Sequence, residues 1–176
     1  MVDALDVDRC VEILERTPRV VRALLAGLPA EWTRGTEGPE TWSPYDVVGH
    51  LVHGERTDWI ARAEIILGPG PDKRFRPFDR TAQFRESAGR PLDALLDEFD
   101  AARRASLTRL REMAPTEADL DRSGIHPAFG PVTLRQLLAA WVAHDLDHLV
   151  QISRVMARQV TAEAGPWREY LRVLRD

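Results

Sequence analysis

The chain is short of the residues on which several function classes depend. Its 176 residues include one cysteine, Cys10, which excludes an intrachain disulfide framework and any cysteine-based zinc site. Cys10 falls among Val7, Val11 and Leu14 at helical spacing, the setting of a small buried thiol rather than a nucleophile. Lys73 is the only lysine, and the arginines that carry the remaining positive charge form no basic face. With a net charge of −4 the chain has no electrostatic footprint for nucleic acid. No apolar run approaches the roughly 20 residues of a membrane span. "MVDALDVDRC" has no basic region ahead of an apolar core, so no signal peptide is expected and the protein is expected in the cytoplasm, with no membrane partner. Strand signals are weak, and internal repeats and low-complexity tracts are lacking. What remains is 44% apolar and 30% charged, the balance of a soluble globular chain, with a length that suits one domain over residues 1–176.

Helical periodicity and its punctuation divide that length. A helix pair is predicted over about Leu5 to Leu28, interrupted at Thr17-Pro18, where Thr17 can cap a helix that starts with proline. "EWTRGTEGPETW" reads as loop. At "WSPYD", Ser43 is a good N-cap, Pro44 suits the first helical position and Asp46 puts a carboxylate in the first turn. That helix should run to Leu67, about 24 residues or roughly 36 Å, before "GPGP" stops it. "DKRFRPFDRTAQFRESAGR" reads as irregular with a short helical piece, and the next helix spans about Pro91 to Met113. The loop "RSGIHPAFGPV" leads to a last long helix from its cap Thr133 to about Gln159, and a short helix is expected over Pro166 to Leu174. The predicted architecture is all-α, a four-helix bundle.

The last long helix carries the chemistry. Leu134, Leu137, Trp141, His144, His148, Gln151 and Val155 follow one another at steps of 3, 4, 3, 4, 3 and 4, one inward-facing stripe from which Asp145 and Asp147 lie to the side. Two imidazoles therefore stand where a core wants leucine, and a buried imidazole is costly unless its nitrogens find partners. Rings at i and i+4 are close enough to converge on one ion, and zinc takes imidazole nitrogen readily. The spacing alone leaves two readings open: a metal pair, or core histidines bonded to backbone or aspartate. A third ligand has to come from another helix. His50, beside Val47 and Leu51, leads. His53, one turn on, reads either as a reserve ligand or proton carrier or, preferably, as a surface residue. Glu55 lies about 140° round from His50 at 100° per residue, so both cannot ligate. His126, between glycine and proline in its loop, either lines the mouth of a site or caps a turn. Trp42, Trp59, Trp141 and Trp167 read mainly as core, with Trp141 a candidate floor for the pocket.

The succession "TP…LLAGLP", "WSPYDVVGHLVHGERTDWIARAEIIL", "PFD", "HPAFGPVTLRQLLAAWVAHDLDHLVQISRVMARQ" and "GPWREYL" resembles the DinB/YfiT-like superfamily along nearly the whole chain. The resemblance implies a bundle of up-down-down-up connectivity with a divalent metal on three histidines, which fall here on His50, His144 and His148. Many members carry a further histidine just before the last ligand, a position held here by Asp147. Family chemistry includes transfer of bacillithiol or mycothiol to electrophiles and a mycothiol-dependent isomerisation, so fold and ligands do not fix the reaction.

The resulting expectation is a divalent-metal-dependent enzyme, thiol S-transferase first, acting on small electrophiles, with a low-molecular-weight thiol as co-reactant. Metal-dependent hydrolysis and a non-catalytic binding module of the stress response are the alternatives. His50, His144, His148 and Gln151 form the expected catalytic set, with Gln151 holding a histidine's second nitrogen or a bound water. Arg56, Arg62 and Arg154 are candidates for a substrate carboxylate, each against a plain solvated role. Zinc is the first expected ion, with nickel, iron or manganese as alternatives. The expected partners are a small-molecule substrate and a second copy of the chain.

Overall fold

Two of the three helix starts read from caps in the sequence, those at Ser43 and Thr133, are where the caps put them. The computed structural model describes residues 6–175, so Leu5, the expected start of the first helix, lies outside the described residues. Helix α1 spans Val7–Leu14 and α2 Thr17–Leu25. A short α3, Ala30–Arg34, stands within the expected loop. Next come α4, Pro44–Thr57, and α5, Trp59–Leu67, then the short α6, Ala82–Glu86, and α7, Leu92–Met113. After α8, Glu117–Leu120, the strands β1, Ser123–His126, and β2, Gly130–Thr133, precede α9, Leu134–Arg158, and α10, Thr161–Ala164. Ser43 and Thr133 each complete a capping box: Ser43 Oγ accepts from Asp46 N at 3.2 Å while Asp46 Oδ2 accepts from Ser43 N at 2.9 Å, and Thr133 with Gln136 repeats the exchange. Thr17 does not cap α2; its hydroxyl bonds back to Ile13 O at 3.4 Å.

Four arms make the bundle: α1 with α2, α4 with α5, α7, and α9. Pairings between their ends set the directions. Arg22 bonds Asp97 and Arg111 bonds Glu15, so the first arm runs against α7. Tyr45 donates to Arg90 O near the start of both elements, and Arg109 reaches Glu64 near the end of both, so the second arm and α7 run together. His50 meets His144 and Glu55 meets Trp141, so α9 runs against the second arm. The connectivity is up-down-down-up, as expected, and the two parallel arms need the long crossing segment over 68–91.

Three elements depart from the expected outline. The helix over 44–67 breaks at Asp58 (φ −114°, ψ −73°), where Thr57 Oγ1 bonds back to His53 O at 2.8 Å, a competition that bends helices. The loop after α8 is a hairpin: β1 and β2 pair antiparallel with His126 opposite Gly130, and the three-residue turn ends on Gly130 at φ +72°, the left-handed position such loops reserve for glycine. Phe75 packs so closely on this hairpin that a Cβ on Gly124 would fall 2.2 Å from its ring. The expected helix over 166–174 is two 3₁₀ turns, Gly165–Glu169 and Arg172–Leu174. Only Leu174 there is buried, and Trp167, expected in the core, is 71% exposed; a segment this short has no face broad enough to hold an α-helix on the bundle.

The core is two apolar clusters with a polar layer between them. One holds Leu14, Trp59, Leu107 and Trp141, the other Val21, Val52, Phe99 and Ile152. Every arm changes cluster at the same level, through Thr17, Glu55, Arg103, and the pair Asp145 and His148, all buried. Among the described residues no helix is long and apolar enough to cross a membrane.

Candidate metal centre

The polar layer has two halves that share α9. On one side His50 from α4 meets His144 and His148 from α9. Nε2 of His144 lies 3.0 Å from Nε2 of His50 and 3.1 Å from Nε2 of His148, and one nitrogen from each ring lies within 4.8 Å of the others. A tetrahedral ion with bonds of 2.0–2.1 Å would space its nitrogens by about 3.3 Å, so the two separations that involve His144 need to open by only a few tenths of an ångström. Burial, then the neighbouring imidazoles, pushes His50 down to about 3, and burial and His144 push His148 down to about 4. Both rings are therefore neutral at pH 7, the state a metal requires.

The hydrogen-bond inventory fits an ion better than it fits three free histidines. Nδ1 of His148 lies 2.7 Å from Gln151 Oε1. An amide oxygen only accepts, so Nδ1 carries the proton and Nε2 presents a bare lone pair to the other rings. Nδ1 of His50 is buried with no partner, and Nδ1 of His144 is 4.0 Å from Asp145 Oδ1, too far for a hydrogen bond. Protonating those nitrogens aims all three Nε2 lone pairs at one point, an arrangement that is repulsive until a cation fills it. Gln151→Ala should lower zinc affinity 10- to 100-fold by freeing the His148 ring, read by competition with a chelating dye; unchanged affinity would show that the amide does not hold the ring.

On the other side of α9, Asp145 is fully buried rather than beside the seam as expected. Arg103 Nη1 lies 2.6 Å from Asp145 Oδ2 and 2.8 Å from Leu14 O, while Nη2 lies 2.7 Å from Glu55 Oε1. Trp141 Nε1 donates to Glu55 Oε1 at 3.1 Å. Trp141 thus backs the site, stacked on Trp59 with ring centroids 5.7 Å apart, and is not the cavity floor. Burial raises Glu55 above the usual carboxylate range against the pull of Arg103. Burial would raise Asp145 too, but its hydrogen bonds and the guanidinium charge hold it low. Helix α9 packs against the first and second arms, and Arg103 reaches it from α7, so its buried arc is wider than one stripe and takes in Asp145.

The remaining candidates separate cleanly. His53 is buried, not at the surface: Nδ1 bonds Glu86 Oε2 at 3.1 Å and the ring packs on Phe78, away from the three Nε2 atoms. His126 does both things proposed for it, accepting from Ala128 N and Phe129 N to cap its turn while lining the cavity. Asp147 is exposed. Arg56 pairs with Glu98 and Arg154 with Glu37, while Arg62 pairs with Asp58 and does line the cavity.

That cavity, about 740 Å³, opens over the histidines. Trp42, Trp59, Phe75, Phe78 and Phe129 wall it, and Asp58, Arg62 and Arg80 give it charge. Sequence reasoning missed Asp58, Phe78, Arg80 and Arg103. Of these only Arg103 had a usable signal, since it interrupts the Phe99–Leu107 seam of α7 as the histidines interrupt that of α9.

The model of the DinB superfamily matches residues 13–152, a span that includes all three histidines and Gln151. The chain belongs to the DinB superfamily. A protein of Oceanobacillus iheyensis, named provisionally as a metal-dependent hydrolase, is 21% identical over 155 residues, covering 87% of each chain. Among solved structures, YfiT from Bacillus subtilis, itself assigned provisionally as a metal-dependent hydrolase with an unusual four-helix bundle topology, superposes with a TM-score of 0.75 at 19% identity, over 90% of this chain and 91% of YfiT. TT2238, a four-helix bundle protein, gives 0.53 at 23% identity, over 83% of this chain and 97% of its own. These structures show the four-helix bundle fold for this chain.

Proposed function

We propose that the chain is a metal-dependent enzyme that hydrolyses a small molecule held in the cavity above His50, His144 and His148. The observation that carries this reading is the convergence of three imidazoles at the foot of an aromatic-walled cavity. A divalent ion bound there, zinc first on its nitrogen donors, would supply a Lewis acid and bring ionisation of an incoming water or thiol toward neutral pH. The chain's residues do the rest. Gln151 fixes the tautomer and angle of His148. Trp42, Phe78 and Trp59 pack around the imidazoles and exclude bulk water. Asp58 is the sole carboxylate among the described residues of the cavity wall, and burial raises its affinity for a proton, which suits it to take one from the attacking water. In hydrolysis the water oxygen bonds the acyl carbon, the bond to the leaving group breaks, and the leaving group departs with a proton. The names of the relatives support water as the nucleophile.

Thiol S-transfer is the second reading, and cavity size favours it: about 740 Å³ exceeds what water and a small ester need and suits a thiol and an electrophile side by side. Zinc-loaded protein should be given aryl esters and electrophilic dyes with and without a low-molecular-weight thiol. Thiol-independent turnover in proportion to bound metal is expected; turnover only with thiol replaces hydrolysis by transfer. Full activity in metal-free protein would sink both.

A further inference from the structure

The charges lining the cavity do not cancel. Asp58 and Arg62 neutralise each other, with Arg62 Nε 2.6 Å from Asp58 Oδ1 and each side chain only 11% exposed. The other cation in the wall is Arg80, in the crossing segment over 68–91, and among the described residues it has no ion pair or hydrogen bond. The carboxylates near it in sequence are taken: Asp79 holds Arg85 at 2.8 Å and Glu86 holds His53 at 3.1 Å. Arg80 lines the same cavity as His50 at the base and His126 at the mouth. The neutral part of the wall is aromatic. Phe129 is 72% exposed, stacked on His126 with ring centroids 4.4 Å apart, and free to be covered by a ligand.

We propose that this cavity selects small monoanionic substrates with an aromatic or bulky apolar body, and that Arg80 is the residue that binds the anionic group, a carboxylate. One unpaired guanidinium matches one negative charge through two parallel hydrogen bonds, whereas a phosphate dianion calls for more donors than this wall offers. The body lies against Trp42, Phe78 and Phe129, which places the middle of the molecule over the imidazoles. The inference rests on the proposed function for what happens to the ligand, but not for whether the ligand binds.

The test separates the two. Metal-free protein is titrated with phenylacetate, the neutral isostere phenylacetamide and phenyl phosphate, following the fluorescence of Trp42 and Trp59, with calorimetry as a second readout. Working without metal prevents the carboxylate from simply ligating an ion. Phenylacetate should bind at least tenfold more tightly than the amide. Arg80→Gln should abolish that preference while leaving the amide unchanged, and Arg76→Gln, on an exposed arginine outside the cavity, should leave the preference intact. Equal binding of acid and amide by the wild type, an unchanged preference in Arg80→Gln, or no binding of any probe overturns the proposal, and tighter binding of phenyl phosphate overturns its restriction to monoanions. The preference should persist in His144→Ala. If it does while the zinc-loaded wild type turns nothing over, the hydrolase reading falls and this one stands.

Discussion

Replacing His144 by alanine should lower zinc affinity by more than about 100-fold, beyond the 10- to 100-fold typical of losing a partner behind a ligand. Nε2 of His144 is the atom that lies within 3.1 Å of both other Nε2 atoms, so its loss leaves two ligands on different helices with nothing bridging them. The metal-free fold should hardly notice. Three rings with lone pairs converging on one point gain little from one another, and His144 is only half-buried. Zinc at 100 times its dissociation constant should stabilise the wild type by about 2.7 kcal/mol, a rise in Tm of roughly 5–10 °C for a chain of this size, and should leave His144→Ala unmoved. Thermal melts with and without zinc, beside a chelator competition, read both effects. Stoichiometric binding of undiminished strength in the variant would place the ion elsewhere.

Arg103→Met should cost the fold about 3–5 kcal/mol, the usual penalty for stranding buried charge. Arg103 is the counter-charge to both Glu55 and Asp145, and neither carboxylate is exposed at all. Without the guanidinium both carboxyls are pushed toward the protonated form by burial. Their folded pKa values then lie above the unfolded ones, so the folded variant binds more protons and loses stability as pH rises from the unfolded carboxylate range through the raised folded values. The gap between wild type and variant should therefore narrow from pH 7 to pH 5 in urea melts. A constant gap would mean that the loss comes from packing rather than charge. Replacing all three residues with apolar ones should recover much of the loss, because the cost lies in the unpaired charge and not in the absence of the triad.

How much of this was legible in the chain depended on how far each signal reaches. Ser43 and Thr133 fix helix starts through bonds to residues three positions away, so local sequence was enough. Periodicity along α9 put His144, His148 and Gln151 on one line, and the structure brings Nε2 of both histidines to His50 and Gln151 to Nδ1 of His148. The same periodicity misplaced Asp145 and His53. A stripe gives a residue's angle about its own helix axis, but whether that angle is covered depends on how many neighbours the helix has. With two arms packed on α9 and Arg103 reaching it from α7, and with α6 and the segment bearing Phe78 over α4, positions that look lateral in sequence are interior in space.

The sequence by itself determined where the helices begin, which seam is interrupted by imidazoles and the family to which the chain belongs, because each of these depends on spacing along one stretch of chain. Only the tertiary structure decided that Thr17, Glu55, Arg103 and Asp145 share one level of the bundle, and that Arg80 comes from the crossing segment to line the cavity above the histidines, unpaired among the described residues. Those facts concern residues tens of positions apart, and only the packing of the arms in three dimensions sets the distances between them.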